Sequence, residues 1–192
     1  MIEKIAKNVY KIPADSNVYL LILEEPIIID AGPRAYNNIV KEELSKIINL
    51  KNVKKAVLTH IHYDHSGNID LFPNADIFAS KKEIGDFKKN PIVAFNLNPK
   101  MIIQLRKKLK SIETIMDFLT KNDLEIIPVP GHTAGSIALF YKKEKILFSG
   151  DCLFENGIGR YDLPNSAPEE MEKSLAKLKK IKYKILAPGH DY

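Results

Sequence analysis

The sequence has little cysteine and no long apolar segment. Cys152 is the only cysteine among 192 residues, so no disulfide can form within the chain. A membrane span takes about 20 consecutive apolar residues, whereas the longest runs here, VYLLIL and PIIID, have the length of strands. The first ten residues, MIEKIAKNVY, lack the apolar stretch and the small-residue cleavage site of a secretory signal. We therefore expect a cytoplasmic protein with no membrane partner.

The positive charge of the chain is not concentrated in one place. The formal net charge is +5, with lysines scattered through segments such as KNVKK, RKKLK and KLKKIKYK and not gathered with aromatic residues. A clustered basic patch is the usual footprint of nucleic-acid binding, whereas scattered lysines are typical of a solvated surface. We expect a small-molecule substrate and no nucleic-acid partner.

Runs of strand length alternate with stretches of helical periodicity along the chain. The predicted strands are 18–23, 27–30, 54–59, 75–80, 124–129, 136–141, 145–149 and 184–188, and the predicted helices are 36–50, 81–89, 99–120 and 169–180. This alternation predicts a layered α/β or α+β fold. We expect one domain over residues 1–192, with 81–121 as a helical segment near the substrate entrance.

The side chains with metal-binding or catalytic chemistry follow the predicted strands directly. All five histidines and two aspartates lie at strand ends: His60, His62, His65, His132, His190, Asp64 and Asp151. Strand ends gather at one edge of a sheet, where layered folds commonly hold their ligands. A single histidine is more often structural than a ligand, but five of five in such places indicate a site.

The spacing within THIHYDHSGN is suited to metal ions. In an extended segment the side chains of His60 and His62 point to the same side, so both can hold one ion. Asp64 and His65 reach a different point and suit a second ion. Imidazole nitrogens and carboxylate oxygens bind zinc and also suit iron or manganese. A set without cysteine thiolates favours a catalytic site over a closed structural zinc.

HIHYDH at 60–65 resembles the His-x-His-x-Asp-His motif of the metallo-β-lactamase superfamily. Four further segments resemble the other motifs of that superfamily in the same order: IIIDAG at 27–32, PGHTAGS at 130–136, FSGDCLF at 148–154 and PGH at 188–190. The resemblance covers about residues 27–190. It implies an αββα sandwich with a two-metal site at its edge.

The resemblance also implies a set of ligands and a reaction. That set is His60, His62 and His132 for a first ion, Asp64, His65 and His190 for a second ion, and Asp151 between them. We expect two divalent metal ions, zinc first, with iron or manganese as alternatives. In such enzymes a hydroxide shared by the two ions attacks an electrophilic carbonyl, and we expect Asp64 and Asp151 to be the catalytic carboxylates.

GIGRYDLP at 157–164 is similar to the Gly-Arg-x-Asp-Leu-Pro segment of compact glyoxalase II-like hydrolases, which cleave acyl thioesters. NSAPEE follows where such proteins often have Gly-Gly, so the match is partial. Arg160 either contacts an anionic substrate or ties the loop through Asp162, and we favour the second. Tyr192 either lines the pocket or frays, and we again favour the second.

The motifs do not specify the carrier thiol or the reaction. Glutathione-dependent glyoxalase II enzymes carry a helical C-terminal domain, whereas this sequence ends just after the last motif. Persulfide dioxygenases, which use one iron and O₂, share the Gly-Arg-x-Asp loop and a His-Asp-Tyr like that at 190–192. A nuclease and a metal-binding protein without activity are weaker alternatives. Cys152 we expect to be a small buried apolar residue and not a nucleophile.

Overall fold

The computed structural model describes residues 1–192 and contains two β-sheets. The first sheet has seven strands in chain order: β1 (Glu3–Ala6), β2 (Val9–Ile12), β3 (Val18–Leu21), β4 (Ile27–Ile29), β5 (Lys55–Val57), β6 (Asp76–Ala79) and β7 (Leu109–Ser111). Neighbours from β1 to β4 are antiparallel, and those from β4 to β7 are parallel. The second sheet has the order β11-β10-β9-β8 and contains β8 (Leu124–Pro128), β9 (Ile137–Tyr141), β10 (Ile146–Gly150) and β11 (Ile185–Pro188). Of its pairs only β10 with β11 is parallel.

Seven α-helices connect or cover the strands. They are α1 (Asn37–Ser45), α2 (Tyr63–Ser66), α3 (Lys81–Lys89), α4 (Pro91–Phe95), α5 (Pro99–Lys108), α6 (Met116–Lys121) and α7 (Pro168–Leu178). Three of them, α4, α5 and α7, have proline in the first turn, where the missing N–H costs nothing. Asn90 and Asn98 precede α4 and α5 and accept hydrogen bonds from backbone N–H groups of the first turn. Pairs of asparagine and proline thus fix where these two helices begin. None of the helices has the length and apolar character needed to cross a bilayer.

The central strands are apolar throughout because both of their faces are covered. Tyr19 and Leu21 of β3 belong to the core between the two sheets, whereas Leu20 belongs to the core beneath the helices. The first sheet is covered on its outer face by α1, α3 and α5, and the second sheet by α7. The order of layers is therefore helix, sheet, sheet, helix. This confirms the αββα sandwich that the resemblance implied.

Two parts of the sequence prediction were wrong or incomplete. Residues 99–120 are not one helix: α5 ends at Lys108, and β7 pairs in parallel with β6 before α6 begins. The segment 81–121 is therefore interrupted by a strand, because pairing with an open sheet edge outweighs the helical spacing of its apolar residues. The hairpin of β1 and β2 was not predicted, since its strands are short and only partly buried.

Backbone hydrogen bonds join the two sheets at the edge where β5, β10 and β11 end. The Ile137 N–H donates to the carbonyl of Thr59 over 3.0 Å, and the Asn17 N–H donates to Gly189 over 2.7 Å. The hydroxyl of Tyr19 donates to the carbonyl of Pro188 over 2.7 Å. The loops that follow these strands and β8 carry the five histidines, Asp64 and Asp151.

Candidate metal centre

The structure brings all seven predicted ligands together in three overlapping groups. Within each group the potential ligand atoms lie within 4.8 Å of one another: His60, His62 and His132; His60, His65 and Asp151; Asp64, His65 and His190. All of these residues are buried except Asp64, which is partly exposed. Because the groups share His60 and His65, they form one continuous centre.

The local backbone conformation after β5 directs the histidine side chains of the HIHYDH segment towards one another. Ile61 is buried in the core beneath the helices, so His60 and His62 project to the opposite side, with ring centroids 4.6 Å apart. The carbonyl of His62 then accepts the N–H groups of His65 and Ser66, each over 3.0 Å, which forms the single turn of α2. That turn places the ring of His65 4.0 Å from the ring of His60.

Asp30 and Thr59 hold His60 and His65 in one orientation. The Thr59 hydroxyl donates to Oδ2 of Asp30 over 2.8 Å, so it accepts from Nδ1 of His60, 3.2 Å away. Nδ1 of His65 donates to Oδ2 of Asp30 over 2.9 Å. These bonds place a proton on Nδ1 of each histidine and direct Nε2 of both at the centre, which is the orientation a ligand needs.

His62 and His132 are oriented in the same way by the loop at 160–165. Nε2 of His62 donates to Oδ1 of Asn165 over 3.3 Å, and Nδ1 of His132 donates to the carbonyl of Arg160 over 2.6 Å. The remaining nitrogens, Nδ1 of His62 and Nε2 of His132, face each other over 2.9 Å. Two lone pairs at that distance repel unless a cation lies beside both, so this pair fits a metal.

The carboxylates lie on the other side of the centre. Nε2 of His190 is 3.4 Å from Oδ2 of Asp64 and 3.3 Å from Oδ2 of Asp151. The hydroxyl of Tyr192 lies 3.2 Å from Nδ1 of His190, and the two rings stack with centroids 5.0 Å apart. The expectation that Tyr192 frays was therefore wrong: its ring covers His190, and its carbonyl accepts from the Asn156 N–H over 3.2 Å.

Three buried polar atoms at the middle of this centre have no hydrogen-bond partner. They are Nε2 of His60, Nε2 of His65 and Oδ1 of Asp151. His65 and Asp151 approach within 3.2 Å here, but not in an alignment that makes a hydrogen bond. Each buried atom left without a partner costs about 1–3 kcal/mol. A set of nitrogens and carboxylate oxygens is what zinc, iron and manganese accept, so the residues present fit a metal centre.

The histidines of the first group are neutral near pH 7. Burial, together with the neighbouring His65 and His62, lowers the pKa of His60 well below its ordinary range. Burial and His132 lower the pKa of His62 to about 4, and burial also lowers the pKa of His132. Because a histidine binds metal only in its neutral form, this group is ready to bind.

The second side of the centre is charged before any metal binds. Burial alone would raise the pKa of Asp151, but His65 and His190 outweigh it and hold that pKa well below the ordinary range. Burial would likewise lower the pKa of His190, yet its contacts with Asp151 and Asp64 raise it to about 9. A metal ion must therefore displace a proton from His190.

A cleft of about 290 Å³ opens onto the centre. Its polar lining includes His62, Asp64, His132, Asp151 and Arg160, and its apolar lining includes Val93, Ala94, Phe95, Leu163 and Pro164. The guanidinium of Arg160 donates to both carboxylate oxygens of Asp162, over 2.9 and 3.1 Å. Arg160 is thus paired with Asp162 of its own loop and also reaches the cleft, so its role stays a prediction, whereas Tyr192 is not among the residues that line the cleft.

Sequence reasoning missed the residues that orient the ligands. IIIDAG at 27–32 was recognised as a motif, but no role was assigned to Asp30. Asn165 stands where Gly-Gly was expected, and no role was assigned to it either. Gly189 is required for packing, because a Cβ there would overlap Oδ1 of Asp151. Cys152 is fully buried and packs in the core under α7. Burial raises the pKa of its thiol to about 12, so it carries no thiolate at neutral pH.

Comparison with known proteins places this geometry in a family. The family model described as the metallo-beta-lactamase superfamily matches residues 12–190. A probable metallo-hydrolase of Methanocaldococcus jannaschii is 33% identical over 188 residues, which cover 91% of this chain and 87% of that protein. A hydroxyacylglutathione hydrolase of Prochlorococcus marinus (strain NATL1A) is 35% identical over 148 residues, covering 72% of this chain but 51% of that enzyme. The crystal structure of a metallo-beta-lactamase family protein from Thermus thermophilus has 20% identity and a TM-score of 0.73, covering 96% of this chain and 74% of that one.

Proposed function

The chain belongs to the metallo-β-lactamase superfamily, and from this premise we propose that it is a binuclear metallohydrolase that cleaves acyl thioesters of small molecules, as glyoxalase II does. One observation carries the proposal: every histidine at the centre has one ring nitrogen bonded to a neighbour and the other directed inward. Such an arrangement is suited to binding metal ions, and none of these bonded side chains is positioned as a nucleophile.

The proposed first ion would be held by His60, His62 and His132, and the second by Asp64, His65 and His190. Asp151 would serve both, since its two oxygens face His65 and His132 at 3.2 and 3.5 Å. Zinc is the ion we propose first, with iron and manganese compatible with the same donors. Bound divalent ions supply Lewis acidity and lower the pKa of water towards 7.

The protein contributes orientation and proton handling. Asp64 is the only proposed ligand that is partly exposed, and it lies in the cleft, where its carboxylate can accept a hydrogen bond from the attacking water. His190 and His65 hold the pKa of Asp64 low although burial opposes this, so it remains an acceptor at neutral pH. A leaving thiolate needs no protein acid, because thiol pKa values lie near about 8.5.

The cleft favours a substrate with an apolar portion beside its carbonyl. Val93, Ala94 and Phe95 of α4 form one wall, and Leu163 and Pro164 form another, so an acyl group can lie between them while its carbonyl reaches the centre. We propose that α4 and the rest of 81–121 shape this entrance of a single domain over residues 1–192. The 35% identity with a hydroxyacylglutathione hydrolase supports the thioester.

A metal-defined activity panel tests this function. Chelator-stripped protein is reloaded with zinc, iron(II) or manganese and assayed on acyl thioesters, a lactone, a phosphodiester and a persulfide. We expect about two metals per chain and release of free thiol from the thioesters at rates well above those for the other substrates. Absence of bound metal, or no thioester cleavage with any ion, would contradict the proposal.

The same panel separates the hydrolase from a persulfide dioxygenase. The observation that favours this alternative is the contact between Tyr192 and His190, because a dioxygenase of this superfamily would have the same two residues. Oxygen uptake with the persulfide and a single iron per chain would replace the hydrolase assignment. Release of thiol from thioesters without oxygen consumption supports the hydrolase assignment.

A further inference from the structure

Glu83 is a buried carboxylate that the proposed reaction does not use. Its side chain is 1% exposed. Oε1 accepts the N–H of Ile61 over 3.0 Å, and Oε2 accepts the hydroxyl of Thr133 over 2.9 Å. No lysine, arginine or histidine forms an ion pair with it. Burying a carboxylate without a cation is costly, so its presence calls for a physical reason.

The local sequence would ordinarily use Glu83 to cap a helix. Ser80-Lys81-Lys82-Glu83 has the Ser-x-x-Glu spacing of a capping box, in which the two side chains bond each other's backbone N–H. Half of that box forms, since Oγ of Ser80 accepts the Glu83 N–H over 3.1 Å. The other half does not: the carboxylate turns away from Ser80 and crosses to the centre.

The two groups that Glu83 binds belong to the loops carrying the first proposed metal group. Ile61 lies between His60 and His62, and Thr133 directly follows His132. These loops come from different sheets, after β5 and after β8, so one carboxylate holds the two halves of the group together. The approach is so close that a Cβ at Gly135 would overlap both the backbone nitrogen and Oε2 of Glu83.

We propose that Glu83 is a positioning residue that sets the spacing of His60 and His62 relative to His132 and thereby the affinity of the first metal ion. This inference rests on the proposed metal centre. The second group, Asp64, His65 and His190, has no contact with Glu83, so the effect is confined to one of the two ions. Groups behind metal ligands typically alter affinity by roughly 10–100-fold.

Zinc titration of the whole protein tests the proposal. Glu83→Ala, Glu83→Gln and wild type are titrated with zinc against a chromophoric chelator. We expect Glu83→Ala to weaken one of two binding steps by roughly 10–100-fold and to leave the other step unchanged. Glu83→Gln should fall between, because its amide oxygen still accepts from Ile61 while its nitrogen donates to Thr133. At saturating zinc, kcat should fall with KM unchanged, since Glu83 does not line the cleft.

Glu43→Gln is the matched control. Glu43 is also a buried carboxylate that accepts a backbone N–H, that of Ile2 over 2.7 Å, but it lies on α1 and pairs with Lys46. Its variant should bind zinc like wild type. If Glu83→Ala fails to fold, Thr133→Val removes one of the two bonds and should weaken the same step.

The outcomes separate the two ideas. Wild-type zinc affinities in Glu83→Ala and Thr133→Val, with only a lower melting temperature, would mean that Glu83 merely supports the fold, and would overturn this inference while leaving the proposed function intact. A wild-type protein that binds no zinc, iron or manganese would overturn both. Weakening of both steps to the same extent would also count against a role limited to the first group.

Discussion

Oδ2 of Asp30 accepts a hydrogen bond from Nδ1 of His65 over 2.9 Å, and both side chains are buried. The same aspartate accepts the N–H and the hydroxyl of Thr59. It therefore fixes the tautomer of His65 directly and that of His60 through Thr59. Asp30 itself has a positive φ of 55°, a conformation that asparagine also adopts readily.

Asp30→Asn should weaken zinc binding by roughly 10–100-fold without disturbing the backbone. The carboxylate accepts from three donors through two oxygens, whereas an amide has a single oxygen, so at least one of the three donors is left facing an NH₂ group. Competition with a chelator measures the change. Asp76→Asn, which removes a surface pair with Lys110, is the control and should bind zinc normally. Equal affinities in the two variants would remove Asp30 from the site.

Asp151→Ala should abolish hydrolysis, lowering kcat by roughly 100-fold or more, and should lower the metal content below two per chain. The reason is that its carboxylate faces members of both proposed groups. Elemental analysis and thiol release measure the two effects. Glu125 of β8 forms an exposed ion pair with Lys142. The control variant Glu125→Gln should leave both the metal content and the rate of thiol release unaltered. Near wild-type turnover in Asp151→Ala would refute a two-metal mechanism.

Arg160→Ala and Asp162→Asn distinguish two roles for the loop after the aspartate. The carbonyl of Arg160 accepts a hydrogen bond from Nδ1 of His132. If the Arg160 side chain acts by holding this loop in place, both variants lose the same bidentate pair and lower kcat to the same extent. If it contacts the substrate, only Arg160→Ala raises KM. We expect the parallel loss, of severalfold, because the pair is exposed and surface pairs stabilise little. Steady-state kinetics on one thioester decides between them.

Cys152→Ala should retain nearly all activity. With its pKa raised to about 12 by burial, the thiol is neither a nucleophile nor a ligand at neutral pH. A thiol reagent should accordingly react with Cys152 only after the protein is unfolded. Rapid labelling of the native protein, or a large loss of turnover in the variant, would contradict this assignment.

Zinc binding should become tighter as the pH rises from 6.5 towards 9. In the metal-free protein the pKa of His190 is about 9, so it is protonated below that value and must lose the proton to become a ligand. For each proton displaced, the apparent affinity changes by about tenfold per pH unit. Calorimetry in buffers of different ionisation enthalpy should detect proton release. A pH-independent affinity would exclude displacement at His190.

The sequence by itself determined much of the candidate site. The polar residues at strand ends and the spacing within HIHYDH were enough to predict seven residues that the structure brings together. The reason is that strand ends in a layered fold converge on one edge of the sheet. Periodicity alone predicted a layered fold, and the αββα order was implied by the resemblance of five motifs to those of the superfamily. Strands buried on both faces are recognisable as uniformly apolar runs such as VYLL of β3.

Only the tertiary structure decided which nitrogen of each histidine faces the centre and which residues enforce that choice. Asp30, Glu83 and Asn165 contact their partners across sequence separations of 35, 22 and 103 residues. No local pattern encodes a hydrogen bond between loops from different sheets. The strand β7 was also a tertiary outcome, since its pairing depends on the free edge of β6. The identity of the ligands is local information, whereas their orientation is a property of the assembled fold.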